Sequence, residues 1–171
     1  MSYTNIEIKA RTTRINQIRQ YLLEKGAEFK GIDRQTDTYF NVFNGRLKLR
    51  QGNIENSLIY YHRDNQPGPK QSDFELLPVN NGGELRSILD KAIGVRITVS
   101  KKREIYYIDN VKFHLDLLEN LGEFVEIEAT NMGSNLPVEK LREQCNFYMN
   151  QFEITEVDLV PESYSDLLGG A

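Results

Sequence analysis

Four short segments of this chain alternate a charged set with an apolar set at every second residue. They are Glu7-Ile8-Lys9-Ala10-Arg11, Arg46-Leu47-Lys48-Leu49-Arg50, Lys112-Phe113-His114-Leu115-Asp116 and Phe124-Val125-Glu126-Ile127-Glu128. Side chains of a strand point alternately to its two faces, so each segment makes a strand with one apolar and one charged surface. If several share a sheet, the charged surface is either a solvated exterior or the wall of a polar cavity, and function turns on which.

The charges are sorted by sign. Arg46, Lys48 and Arg50 are all cationic on one face, and Lys101 with Arg103 repeats the arrangement. A solvated face usually mixes signs, because like charges repel. Clustered cations make sense opposite a polyanion: Arg grips phosphate oxygens with two donors and Lys supplies a mobile point charge. Glu126 and Glu128 share one face of another strand, with Glu7 on the first, and converging carboxylates are the usual way to hold Mg²⁺ or Mn²⁺. Polyphosphate plus divalent metal is one coherent ligand for both clusters. Read one strand at a time, a solvated face with no function remains open.

Other chemistries find little support. His62 and His114 lack zinc-ligand spacing, and there is no G-x-S-x-G elbow, Walker-type loop or dinucleotide fingerprint. From spacing alone His114 is either a proton donor or a wall residue. The net charge of −4 argues against a general nucleic-acid binder. Cys145 is the one cysteine, which excludes an intrachain disulfide and fits a reducing compartment. It falls on an apolar helical stripe and reads as a buried structural thiol. The segment from Met1 to Asn5 lacks a signal peptide's basic and apolar regions, and no apolar run reaches the roughly 20 residues of a membrane span. The expected location is cytoplasmic.

With 171 residues, the chain suits one domain, 1–171, with a hydrophobic core. The pattern predicts about eight mostly antiparallel strands near residues 3–11, 35–43, 46–50, 58–63, 72–79, 95–108 (in two pieces that meet at 102/103), 111–117 and 124–130. Asn44-Gly45 predicts a two-residue hairpin turn, and Asp109-Asn110 another. One helix follows Thr12 or Thr13 as N-cap and stops at Gly26. A second puts Leu85, Ile88, Leu89 and Ala92 on one face and closes near Gly94. A third begins at Pro137, with Val138, Leu141, Cys145, Tyr148 and Met149 as its apolar stripe. A short element over 163–168 precedes a flexible Gly169-Gly170-Ala171 end. Eight antiparallel strands are enough to close a barrel, which removes exposed edges.

Several ordered segments resemble the CYTH superfamily of triphosphate tunnel metalloenzymes, which includes class IV adenylyl cyclases, thiamine triphosphatases and tripolyphosphatases. Asn5-Ile6-Glu7-Ile8-Lys9 resembles the family's ExExK signature, Thr36-Asp37-Thr38-Tyr39-Phe40 its D-x-Y-F strand, and Leu47-Lys48-Leu49-Arg50 its L-R-L-R strand. Lys101 to Tyr106 resembles K-x-R-x-x-Y. His114-Leu115-Asp116 with Leu121-Gly122-Glu123-Phe124-Val125-Glu126-Ile127-Glu128 is similar to the class IV cyclases in particular, and Ser163-Tyr164-Ser165-Asp166-Leu167-Leu168 to the C-terminal S-Y-x-x-L-L.

The resemblance implies an α+β fold, an eight-stranded antiparallel β-barrel with helices packed outside and a triphosphate in its lumen. It implies Mg²⁺ or Mn²⁺ held by Glu7, Glu126 and Glu128, with Asp116 in or beside the metal shell. Lys9, Lys48, Arg50, Arg63, Lys101 and Arg103 would bind phosphates, and Glu7, Lys9, Glu126 and Glu128 would form the catalytic set. The implied activity is that of a metal-dependent enzyme, class IV adenylyl cyclase-like (ATP to cyclic AMP and pyrophosphate). A triphosphatase is the alternative, and a non-catalytic polyphosphate binder a third. The implied partner is a small-molecule triphosphate, with no nucleic acid and no membrane, on a monomer or homodimer. Asn5 replaces the first Glu of ExExK. Gln71 stands where the family's R-x-E-x-E has its Arg, leaving Asp73 and Glu75 as candidates for its acids. A barrel for an apolar ligand would instead need an aliphatic and aromatic lumen.

Overall fold

The computed structural model describes residues 2–169; Met1, Gly170 and Ala171, and with the last two most of the expected flexible end, lie outside the described residues. Eight strands, β1 (Tyr3–Arg11), β2 (Glu28–Phe40), β3 (Arg46–Gln51), β4 (Asn56–Arg63), β5 (Lys70–Pro78), β6 (Val95–Ile108), β7 (Val111–Leu118) and β8 (Gly122–Thr130), close into a barrel in the order β1-β5-β4-β3-β2-β6-β7-β8. Every pairing is antiparallel. Helices α1 (Ile15–Glu24), α2 (Gly82–Ile93), α3 (Val138–Gln151) and α4 (Tyr164–Gly169) pack outside it.

Alternation is what sorts the faces. On β1, β7 and β8 the outward residues Ile6, Ile8, Val111, Phe113, Leu115, Val125 and Ile127 are buried beneath Ile18 and Leu22 of α1 and Leu141 and Cys145 of α3. Each such side chain contributes about 1.5–3 kcal/mol on burial. Phe113 anchors the seam by edge contacts with Tyr148 at 4.7 Å and Phe152 at 5.7 Å. The Cys145 thiol is buried as expected, and burial raises its pKa to about 12, which suppresses the reactive thiolate. A second apolar cluster, including Val99, Leu118, Phe124, Val160 and Tyr164, gathers where α4 meets the barrel.

Several local expectations change. β6 is one unbroken 14-residue strand rather than two pieces, and β2 begins at Glu28, seven residues before the expected start, because the two long strands pair with each other from Glu28↔Tyr107 to Phe40↔Val95. The Asp109-Asn110 turn closes Ile108↔Val111 as predicted, with Asp109 at φ +52°. Asn44-Gly45 does not make a two-residue hairpin: β2 and β3 last pair at Phe40↔Leu47, and Gly45 alone takes the positive φ of +63°. A Cβ there would also meet the Tyr60 hydroxyl at 2.7 Å. The first helix is preceded by Arg14 rather than a threonine; Thr12 Oγ1 instead accepts from the Arg14 amide. The apolar face of α2 is not buried, and Ile88 remains 62% exposed. No helix among the described residues is long and apolar enough to cross a membrane.

Candidate active site

The charged faces turn inward. They line a cavity of about 190 Å³ into which seven cations and five carboxylates project. The cations are Lys9, Lys48, Arg50, Arg63, Lys101, Arg103 and Lys112; the carboxylates are Glu7, Asp37, Glu55, Glu126 and Glu128. All six phosphate-binding candidates of the sequence therefore share one cavity. Lys112 joins them, and the β4 and β6 residues reach it because every second position on each strand faces inward.

The internal carboxylates act as counter-ions. Asp37 accepts from Arg50 Nε at 2.9 Å and Nη2 at 2.8 Å, accepts from Lys101 Nζ at 2.8 Å, and lies 3.7 Å from Lys48 Nζ. Burial pushes this carboxyl upward, but the Arg50, Lys101 and Lys48 charges outweigh it and hold the pKa well below the carboxylate range. Glu55 pairs with Lys112 and lies 3.6 Å from Arg50. Burial opposes its ionisation, yet Lys112 and Arg50 hold its pKa down. The cations remain in excess. Burial lowers Lys101 to about 7, with Asp37 opposing and Arg103, Arg50 and Lys48 reinforcing the drop. Burial lowers Lys9 to about 8. A polyanion bound beside these lysines would oppose the burial effect and hold both in their charged form.

The acidic corner is built by register. Glu7 lies opposite Glu128 across β1–β8, and His114 lies opposite Glu126 across β7–β8. His114, Glu126 and Glu128 each place a ligand atom within 4.8 Å of the others. His114 Nδ1 is 3.8 Å from an oxygen of each glutamate, too long for a hydrogen bond. Both of its ring nitrogens are buried without a hydrogen-bond partner. Burial, then the Arg103 charge, lowers the His114 pKa well below the usual range and leaves a neutral imidazole with lone-pair capacity. Two carboxylates and an orphaned imidazole fit a divalent cation, Mn²⁺ through all three and Mg²⁺ chiefly through oxygen.

Two candidate metal ligands sit in other company. Glu7 accepts from Arg63 Nη1 at 3.0 Å. Asp116 accepts two bonds of 2.7 Å from Arg103 and one of 2.7 Å from the Tyr164 hydroxyl, so its oxygens are engaged. Arg103 also donates to Glu126 at 2.7 Å, linking the cationic wall to the acidic corner. Lys9 Nζ donates to the Glu162 carbonyl at 3.1 Å and sits 3.8 Å above the Tyr164 ring, where α4 closes the barrel.

One expectation on β5 is overturned. Lys70, Ser72 and Phe74 are buried on this strand, whereas Gln71, Asp73 and Glu75 are exposed on the alternate face. Asp73 accepts from Thr4 Oγ1 at 2.8 Å on the outside, so Asp73 and Glu75 do not replace lumen acids. Lys70 supplies the buried cation on this strand, its Nζ held by the Pro161 carbonyl at 3.3 Å. Sequence reasoning also gave no role to Asp37, Glu55 or Lys112. Asp37 was visible in the D-x-Y-F resemblance, and Lys112 in the β7 alternation.

Solved structures share this architecture. A Pyrococcus horikoshii protein aligns with a TM-score of 0.78 at 23% identity, covering 95% of this chain and 98% of its own. A candidate adenylate cyclase from Vibrio parahaemolyticus aligns at 0.75 and 18%, covering 96% and 97%. A candidate adenylyl cyclase from Hippeastrum, described as having a dominant triphosphatase activity, aligns at 0.63 and 13%, covering 97% and 93%. No curated protein sequence matches the chain. The CYTH domain family matches residues 4–164, and with the closed barrel and its inward charges this establishes that the chain belongs to the CYTH domain family.

Proposed function

We propose that this protein is a divalent-metal-dependent enzyme that acts on a triphosphate held in the barrel lumen, in the manner of a class IV adenylyl cyclase. The observation that carries the reading is the excess of cations over carboxylates lining one cavity, seven to five, beside the His114–Glu126–Glu128 cluster. Family membership and the activities named for the Vibrio and Hippeastrum proteins support it.

Lys48, Arg50, Lys101 and Arg103 would hold phosphate oxygens, exchanging their bonds to Asp37 and Asp116 for bonds to substrate. Glu126 and Glu128, with His114 and the adjacent Glu7, would hold the metal. When bound, Mg²⁺ or Mn²⁺ supplies charge neutralisation at a phosphoryl oxygen and eases deprotonation of an attacking hydroxyl. In the cyclase reaction the ribose 3′-hydroxyl gives its proton to water, its oxygen attacks the α-phosphorus, and the bond from that phosphorus to the α–β bridging oxygen breaks to release pyrophosphate. The charge that builds on departing pyrophosphate is met by fixed guanidinium and ammonium groups that need no reorganisation. In the triphosphatase reaction water attacks the terminal phosphorus instead. The Hippeastrum relative's described activity favours keeping this second reading.

Product identification separates them. Purified protein is incubated with ATP, thiamine triphosphate or tripolyphosphate and Mg²⁺ or Mn²⁺. Cyclic AMP with pyrophosphate supports the cyclase, and orthophosphate the hydrolase. Turnover of none, with tripolyphosphate binding intact, rejects the enzyme reading in favour of a binder.

A further inference from the structure

The cavity is charged on one side and neutral on another. Among its lining residues, β4 and β5 contribute a single charge, Arg63 at the last position of β4. The rest of that wall is Ser57, Ile59, Tyr61, Ser72, Phe74 and Leu76. Met132, just beyond β8, and Asn5, near the start of β1, line the cavity too. Phosphates have no use for apolar and aromatic surface, whereas a planar uncharged group does.

Asn5 adds a specific request. It is nine-tenths buried, and its Oδ1 is an acceptor without a hydrogen-bond partner. Its cross-strand neighbours are Ser72 on β5 and Thr130 on β8, both short side chains that also line the cavity. A buried acceptor left unpaired is costly, so it marks a place where a donor belongs. The last torsion of an Asn side chain is soft, so Oδ1 turns toward the cavity at little cost. An Asn amide pairs in bidentate fashion with an amino group beside a ring nitrogen, as on adenine.

We infer that the β4–β5 wall with Asn5 is the subsite for the organic group of a nucleoside triphosphate, and that Asn5 reads an amino-substituted base. The inference rests on the triphosphate reading above and narrows it from any triphosphate to a nucleotide. It also gives a role to Asn5, which departs from the family signature.

Calorimetry in low salt without divalent metal, so that no turnover occurs, tests it. The probes are α,β-methylene-ATP, its purine-riboside counterpart lacking the 6-amino group, and tripolyphosphate. Wild type should prefer the amino-bearing analogue over its counterpart by roughly tenfold, and Asn5→Leu should abolish that preference while changing tripolyphosphate affinity less than about twofold. Leu76→Gln, at the apolar part of the wall, should weaken both nucleotide analogues and leave tripolyphosphate bound. Equal losses for all three probes, or unchanged nucleotide binding in both variants, would overturn the subsite while leaving the phosphate site standing. Failure of every probe to bind wild type would contradict the triphosphate reading itself, and the subsite with it.

Discussion

Arg50 and Asp37 face each other across β2–β3 and join through two parallel hydrogen bonds of 2.9 and 2.8 Å in the barrel interior. Lys101 shares the same carboxylate. Asp37 thus engages Arg50 and Lys101 as a phosphate group would in the proposed complex. Asp37→Asn leaves Arg50 and Lys101 short of charge, and the loss of one partner of a buried pair costs about 3–5 kcal/mol. Thermal unfolding should show a large drop in midpoint without ligand, and tripolyphosphate should recover more of it than the same concentration adds to wild type. Equal ligand-induced shifts in the two proteins would contradict the stand-in role.

Lys101 predicts a proton linkage. Burial lowers its pKa to about 7, against 10.5 for an ordinary lysine. A bound polyanion raises it, so binding near pH 8 takes up protons. Calorimetry in buffers of different ionisation enthalpy should show that uptake, reduced in Lys101→Met; net proton release would contradict it. The folding linkage has the same origin. Between about pH 7 and 10.5 the unfolded chain holds the proton that the folded chain has lost, so this lysine's contribution makes stability rise with pH across that window.

One inward and one outward lysine, on β1 and β6, provide a paired test of direction. Lys9 and Lys101 face the cavity, whereas Lys102 is exposed on the alternate face of β6. Lys9→Ala should weaken tripolyphosphate roughly tenfold or more at low salt, the range for one charge-assisted bond, and Lys102→Ala should change it little. Equal effects would mean that binding reads surface charge and not the lumen.

His114 predicts metal preference. Its imidazole should ligate Mn²⁺ better than Mg²⁺, because nitrogen donors favour the transition metal. Electron paramagnetic resonance titration of His114→Gln should show Mn²⁺ bound about tenfold more weakly, with a smaller change in Mg²⁺ competition. Equal losses for both ions would return His114 to the role of a wall.

The sequence exposed the inward cations well, because β1, β3, β7 and β8 alternate cleanly within single short runs. Closure into a barrel rested on family resemblance, since periodicity does not say which strands pair. The counter-ions were harder to read. Asp37 lies in Thr36-Asp37-Thr38, where both faces look polar, and Glu55 lies in the loop between β3 and β4, where no alternation exists. The Lys101-Lys102-Arg103 run hid the continuity of β6 for the same reason. On β5 the inward set is fixed by Lys70, Ser72 and Phe74, and motif alignment one residue out of phase placed Asp73 and Glu75 on the wrong face. The helical period of α2 was correct, but a period does not reveal whether Ile88 finds a cover.

The central claim is that the barrel interior is a polyanion site. Titration of tripolyphosphate into the metal-free protein at low salt, followed by calorimetry in wild type and in a Lys48→Ala/Arg50→Ala double variant, tests it most directly. The account predicts one-to-one binding in wild type and a loss of at least a hundredfold when these two inward cations are removed, roughly tenfold for each charge-assisted contact. Absence of binding, or binding that survives the double substitution unchanged, would contradict it.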